Sequence, residues 1–154
     1  SATPVGLLVL SRRIACHFGA DIDAADGVED LNAILRAPVT HDRIVFSEYH
    51  AAGAVSGAFM LRKGRWKLIH YVGFRDELFD LNADPEELRN RAQDPDCAAT
   101  LRELLAELRK ICDPDAVDQR AFDDQAALIE LHGGRAAALR LGAPGATPPP
   151  ADAP

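Results

Sequence analysis

No run of ~18 apolar residues, the length that spans a bilayer, occurs in the sequence. Its longest apolar stretch, Val5 to Leu10, is too short even for most signal-peptide cores, and the basic residues follow it rather than precede it. Cysteine is scarce. Cys16, Cys97 and Cys112 are odd in number and show no C-x-x-C spacing, which argues against a disulfide framework or a zinc site. That usage leaves the compartment open and favours the cytoplasm. Positive charge is also short: 17 Lys and Arg against 24 Asp and Glu leave a net charge of −7. A nucleic-acid binder draws most of its affinity from neutralising phosphates on a basic face. The densest basic segment, Arg62-Lys63-Gly64-Arg65-Trp66-Lys67, alternates with apolar residues and fits a hairpin better. Neither a nucleic-acid nor a membrane partner is expected. An initiating Met is missing too: the chain begins at Ser1, as a processed, tagged or excised piece does.

What is present suffices for one domain and a tail. Of the 154 residues, 47% are hydrophobic, and a chain of this size hides roughly 70% of its unfolded surface on folding. Residues 4–18 read as a helix, with Leu7, Leu8, Leu10, Ile14 and Phe18 at helical spacing and Gly19 as its stop. A second, short helix covers about 29–36 on Leu31, Ile34 and Leu35, closed by Pro38. Then the period changes. Arg43 to His50 is rich in β-formers, and a loop with two glycines runs from Ala51 to Gly57. The runs 58–62 and 65–72 flank Lys63-Gly64, a hairpin signal. In the second run Trp66, Leu68 and His70 share one face and Lys67, Ile69 and Tyr71 the other. Glu77 to Leu81 makes one more strand.

After Asn82 the pattern turns helical. Asp84-Pro85, Asp94-Pro95 and Asp113-Pro114 each read as a helix start, because Asp caps and Pro is tolerated at the first helical position. Cys97 to Cys112 carries one apolar stripe, Leu101, Leu104, Leu105, Leu108 and Ile111. A last helix runs from about Asp115 to His132 and stops at Gly133-Gly134; from Ala143 the composition is Pro, Ala and Gly, unable to bury a core. There is no internal repeat. The order predicts an α+β fold: a small antiparallel sheet of about four strands packed against helices, then C-terminal helices and a Pro-rich tail. In domains, 1–42 is a helical lead-in ending a preceding region, 43–134 the α+β unit, and 135–154 an extended Pro/Ala-rich tail.

The stretch from Ile44 to Arg91 resembles the C-terminal region of sulfatases in the alkaline-phosphatase-like superfamily. The matching residues are Val45-Phe46-Ser47-Glu48-Tyr49-His50 and Met60 through Ile69. They continue with Glu77-Leu78-Phe79-Asp80-Leu81, Asp84-Pro85-Glu86-Glu87 and Arg89-Asn90. Their combination in this order is specific; no single piece is. Choline-sulfatase-like and arylsulfatase-like members look most similar. Upstream, Asp26-Gly27-Val28-Glu29-Asp30-Leu31 keeps Asp-Gly and Leu of the family's "DGxSL" segment but lacks its serine, and residues 1–20 match poorly.

The resemblance implies that the chemistry sits in a larger N-terminal α/β domain. There a cysteine in a C-x-P-x-R motif becomes formylglycine, whose hydrate is the nucleophile, and Asp and Asn hold a divalent metal, usually calcium. A sulfate ester needs an activated oxygen nucleophile, a cation for the sulfuryl oxygens and an acid for the leaving group. None of this set is recognisable here. Cys112-Asp113-Pro114-Asp115 reads C-x-P-x, but Ala116 replaces the arginine; a capping Asp-Pro is the simpler reading. Cys16 and Cys97 read as packed thiols. Asp21, Asp23 and Asp26 are spaced somewhat like a calcium loop yet lack its sixth-place glycine and closing glutamate, so a solvated acidic linker is the alternative. Helix-dipole and capping duty accounts for Asp80, Asp84, Glu86 and Glu87.

The candidates for a pocket rim are Glu48 and His50. By resemblance, Glu48 faces a cationic or polar substrate group and His50 hydrogen-bonds the ester, neither being the nucleophile. The plainer alternative is a strand-end glutamate paired with an arginine and a loop histidine in water. Arg62, Lys67 and His70 read as strand residues of the hairpin, with direct substrate contact as the alternative. Trp66, Tyr71 and Phe79 read as core or interdomain packing. The resemblance implies the N-terminal sulfatase catalytic domain, with its calcium and formylglycine, as the partner. By the same resemblance the Pro-rich tail would reach across to another subunit of a homo-oligomer. The parent reaction would be hydrolysis of a sulfate ester such as choline sulfate or an aryl sulfate, although related enzymes also cleave phosphonate and phosphate esters. Two other readings remain: a stand-alone binding or assembly module, and a small hydrolase around His50. The latter needs Ser47 or Ser56 as nucleophile, and neither sits in a G-x-S-x-G elbow.

Overall fold

The computed structural model describes residues 31–38, 40, 42–50 and 54–141. The expected helix over 4–18, the acidic group Asp21, Asp23 and Asp26, Cys16 and the tail beyond Leu141 lie outside them. Helix α1 (Leu31–Arg36) leads into strands β1 (Ile44–Tyr49), β2 (Ala58–Lys63), β3 (Trp66–Tyr71) and β4 (Glu77–Asp80). A 3-10 turn, Pro95–Cys97, opens α2 (Ala98–Ile111), followed by α3 (Pro114–Leu131) and α4 (Arg135–Leu141). The four strands form one antiparallel sheet in the order β1-β2-β3-β4, so the fold is α+β as the sequence predicts. No helix of the described residues is long and apolar enough to cross a membrane.

Strand pairing fixes the faces, because directly opposed residues point the same way. One row joins Phe46, Leu61, Leu68 and Leu78; the next joins Glu48, Phe59 and His70. Leu104 and Leu108 of α2 and Cys97 meet this face in the core, with Phe59, Leu61, Leu68, Leu78 and Leu108 fully buried. Only one edge of the expected helical stripe is deep: Leu101 and Leu105 flank the core, and Ile111 is 45% exposed. The other face carries Val45, Arg62, Lys67 and Phe79, then Ser47, Met60, Ile69 and Glu77.

Three expectations need correcting. The β2–β3 turn is Gly64-Arg65, one residue later than the sequence suggests; Lys63 stays in the ladder opposite Trp66, and Gly64 takes the left-handed conformation (φ 59°) that a two-residue hairpin wants at its first turn position. Asp84-Pro85 starts no helix. Asp84 Oδ2 instead accepts from the Arg89 amide (2.8 Å), and Glu87 sits at φ 58°, outside helical space. The segment then folds back along β4. Asn90 Oδ1 accepts from the Leu78 and Ala92 amides (3.1 and 2.9 Å), and the Arg91 amide donates to the Leu78 carbonyl (2.8 Å). The same local signal that caps a helix here closes a sheet edge. Finally, Arg135–Leu141 is helical rather than extended, beginning after Gly133 and Gly134 (φ 92° and 82°) terminate α3.

Ion pairs brace the frame. Lys63 reaches Glu103 of α2 (2.8 Å) and Lys67 reaches Glu87 (2.6 Å). Arg65 and Arg91 stack on Trp66, 4.9 and 5.9 Å from its ring centre.

Candidate functional site

Arg62 and Lys67 pair with each other towards one end of the sheet. Glu48 and His50 lie at the opposite end, where β1 leaves, β2 enters and β3 ends, and His70 lies there too. Gly57, at the base of the loop after β1, is the hinge of this end. Its amide donates to Asp118 of α3 and its carbonyl accepts from Val72 (3.2 Å), so the loop is tied to a helix and to the end of β3. A Cβ at Gly57 would lie 2.8 Å from His50 Cε1, 2.9 Å from Phe59 Cε2 and 3.1 Å from Asp118 Oδ1. Only glycine lets the three approach so closely.

His50 is half-buried and edge-on to Phe59, with ring centres 5.4 Å apart. Its Nε2 is buried and has no hydrogen-bond partner among the described residues. It faces a crevice of about 10 Å³ shared with Ser56, Asp118, Phe122 and Gln125, large enough for about one water. His50 is therefore not a loop histidine in water. Glu48 is exposed, and no ion pair to it occurs among the described residues, so the expected arginine partner is not found. Its carboxylate instead acts on Cys112: burial pushes that thiol up, and Glu48 and then Asp113 add to the shift.

On the opposite face the same end of the sheet forms an open groove of about 570 Å³, lined chiefly by Tyr49, Val55, Ser56, Tyr71 and Phe74. Tyr49 and Tyr71 align through Ala58, which opposes both. Gly73, at φ 76°, turns the chain so that Phe74 joins them. Tyr71 donates to Glu77 (3.3 Å), and burial, then the Glu77 charge, holds its phenol above the usual range. Sequence reasoning took Tyr71 for packing and did not single out Tyr49 or Phe74. The signal was there in the register, but only pairing reveals it. His70 lies apart from this groove, on the core face, hydrogen-bonded to Asp76 (2.7 Å).

The remaining candidates resolve simply. Asp113 caps α3, accepting from Asp115 and Ala116 (3.2 and 3.4 Å), and Cys112 ends α2, which accounts for the C-x-P-x segment. Cys97 is a packed thiol. Asp80 is buried, accepts from the Asn82 amide (3.2 Å) and faces Arg65 (3.6 Å). Among the described residues no group of three or more His, Cys, Asp and Glu is placed to hold a metal ion; the calcium that the resemblance implies belongs to the catalytic domain rather than to this region.

Residues 39–113 match the family model described as N-sulphoglucosamine sulphohydrolase, C-terminal. The chain is 40% identical to arylsulfatase K of Danio rerio over 83 residues, 51% of this chain and 15% of that protein. It is 38% identical to arylsulfatase K of Rattus norvegicus over 71 residues, 44% of this chain and 13% of that protein. Choline-sulfatase of Rhizobium meliloti (strain 1021) shares 39% over 51 residues, 33% of this chain and 10% of its own length. The solved structure of BT4656 in complex with its substrate D-glucosamine-2-N,6-O-disulfate matches at a TM-score of 0.51. That match covers 71% of this chain and 24% of that one at 21% identity, a likeness of fold. The chain thus spans 10–15% of the length of these curated relatives.

Proposed function

Through residues 39–113 the chain belongs to the sulfatases, as a member of their C-terminal domain family, and on that premise we propose that it is the non-nucleophilic part of a sulfuric ester hydrolase. In this reading it packs on the catalytic domain and shapes the rim of the substrate pocket. The family match carries the proposal. The clustering of His50, Tyr49, Tyr71 and Phe74 at one end of the sheet supports the rim role. Calcium and formylglycine then belong to the catalytic domain and supply the cation and the oxygen nucleophile. What this chain contributes is position: Gly57 and Asp118 hold the loop, and the aromatic groove offers apolar surface with Glu77 beside it. The parent substrate is an aryl sulfate or choline sulfate.

The test uses the full-length polypeptide that carries this region. It should release sulfate from 4-nitrophenyl sulfate, whereas residues 1–154 alone should release none. In the full-length enzyme His50→Ala and Tyr71→Ala should raise KM by about tenfold, the value of one modest contact, with kcat largely kept. Turnover by residues 1–154 alone would instead favour a small hydrolase. Unchanged KM in both variants would remove the rim role.

A further inference from the structure

The open groove of about 570 Å³ matches one segment of this chain in chemistry and in reach. Tyr49, Val55 and Phe74 stand out from it, 54%, 74% and 61% exposed, and no charged side chain lines it. Its volume falls within the roughly 300–1,000 Å³ of ligand sites. Aromatic rings along an uncharged groove are the surface on which proline-rich segments dock, ring against ring. The sequence 143–154 holds Pro144, Pro148, Pro149, Pro150 and Pro154, half of the chain's ten prolines, and one charge, Asp152. Proline has no N–H, so a run of three leaves no buried donor unpaired in an apolar groove. Its fixed φ also lowers the entropy lost on docking.

The groove lies within reach of that segment. It shares Ala54 and Ser56 with the crevice that Gln125 of α3 lines. From Gln125 to Leu141 the chain is two helical stretches joined at 132–134, a contour of at most roughly 32 Å. Gly133 and Gly134, both left-handed, turn the chain and make the straight distance shorter. Pro150 can stand about 28 Å from Leu141 as polyproline II and about 32 Å when fully extended. We propose that Thr147-Pro148-Pro149-Pro150 docks in this groove of its own chain as a polyproline II turn, with its rings against Tyr49, Val55 and Phe74. So short a tether holds the segment at about millimolar effective concentration, which favours it over the same segment of a second copy at ordinary protein concentrations. The inference uses only residues of this chain and does not rest on the sulfatase reading.

Photocross-linking of the full-length polypeptide tests this. p-Benzoylphenylalanine replaces Phe74, and the tryptic peptides are mapped after irradiation. The expected product joins position 74 to the peptide that begins at Leu141, after Arg140, in a species of monomer mass. Absence of that link at monomer mass overturns the proposal. A link to the same peptide only at twice that mass names a second copy's tail as the occupant, and a link to any other peptide names a different one. Nitration of Tyr49 by tetranitromethane is the second readout. At about 1 mM effective concentration, a segment that binds at about 0.1 mM fills the groove about tenfold over leaving it empty. Tyr49 should therefore react about tenfold faster in the triple variant Pro148→Gly, Pro149→Gly, Pro150→Gly than in the unmutated polypeptide. Free peptide of residues 143–154, added to that variant at millimolar concentration, should slow the reaction again. Equal rates in the two proteins, or no slowing by the peptide, overturn the proposal.

Discussion

Gly57→Ala isolates the tightest point of the structure. The new methyl would enter a space bounded by His50 Cε1 at 2.8 Å, Phe59 Cε2 at 2.9 Å and Asp118 Oδ1 at 3.1 Å. Phe59 is fully buried and cannot retreat without disturbing Leu61 and Leu68. Asp118 can retreat only by loosening its bond to the Gly57 amide. Overpacking of this kind costs about 1–3 kcal/mol. Weakening a hydrogen bond to a charged acceptor adds up to about 1.5–3 kcal/mol. The backbone of Gly57 is not left-handed, so alanine recovers about 0.4–1 kcal/mol from the unfolded state. The net loss is about 2 kcal/mol. For a chain of 154 residues each kcal/mol moves the midpoint by roughly 2–4 °C, so Tm should fall by roughly 4–8 °C in a circular-dichroism melt. Adding His50→Ala removes one of the two closest contacts, so the double variant should be less destabilised than the sum by at least about 0.5 kcal/mol. A Gly57→Ala protein as stable as the parent would refute the packing described at the loop base.

Leu108→Ala removes a fully buried side chain of α2 and should cost about 2–5 kcal/mol, read from urea midpoints; a loss below about 1 kcal/mol would mean that α2 is not seated on the sheet. Glu107 is held below its ordinary value of 4.5, first by its hydrogen bond to Lys110 and further by Lys63. A lowered carboxylate contributes stability above its unfolded value and loses it as pH falls through the folded one, so urea midpoints should drop below about pH 4.5 and Glu107→Gln should flatten that limb. Glu48→Gln relieves part of the upward push on Cys112 and should speed its alkylation by iodoacetamide about twofold, followed peptide by peptide; an unchanged rate would place the carboxylate elsewhere.

The strands were legible because alternation states which side each residue takes: Trp66, Leu68 and His70 do fall on one face and Lys67, Ile69 and Tyr71 on the other. The Cys97–Cys112 helix was legible from its leucines and the α3 start from Asp113-Pro114. Asp84-Pro85 misled because a capping aspartate and a turn aspartate offer the same acceptor. Asn90, six residues on, decides the outcome by reaching across to Leu78, and a local window does not contain that bond. The loop end is legible only in part. Glu48 and His50 mark the right end of β1, but the groove of Tyr49, Tyr71 and Phe74 exists through the β1–β2–β3 register. Gly57 looked like any loop glycine until its neighbours across the fold were known.

The order of the sheet has a kinetic consequence. Each strand neighbours the one before it in sequence, and α2, which covers the core face, follows directly after them. The strand-to-strand closures are short, so little chain entropy is spent before a pairing repays it. Seating α2 and α3 against the sheet closes longer loops, 40 residues for Lys63–Glu103 and 61 for Gly57–Asp118. Strand order in this sheet follows from pairings between neighbours in the chain, and the long-range seating of the helices is the slower, costlier step.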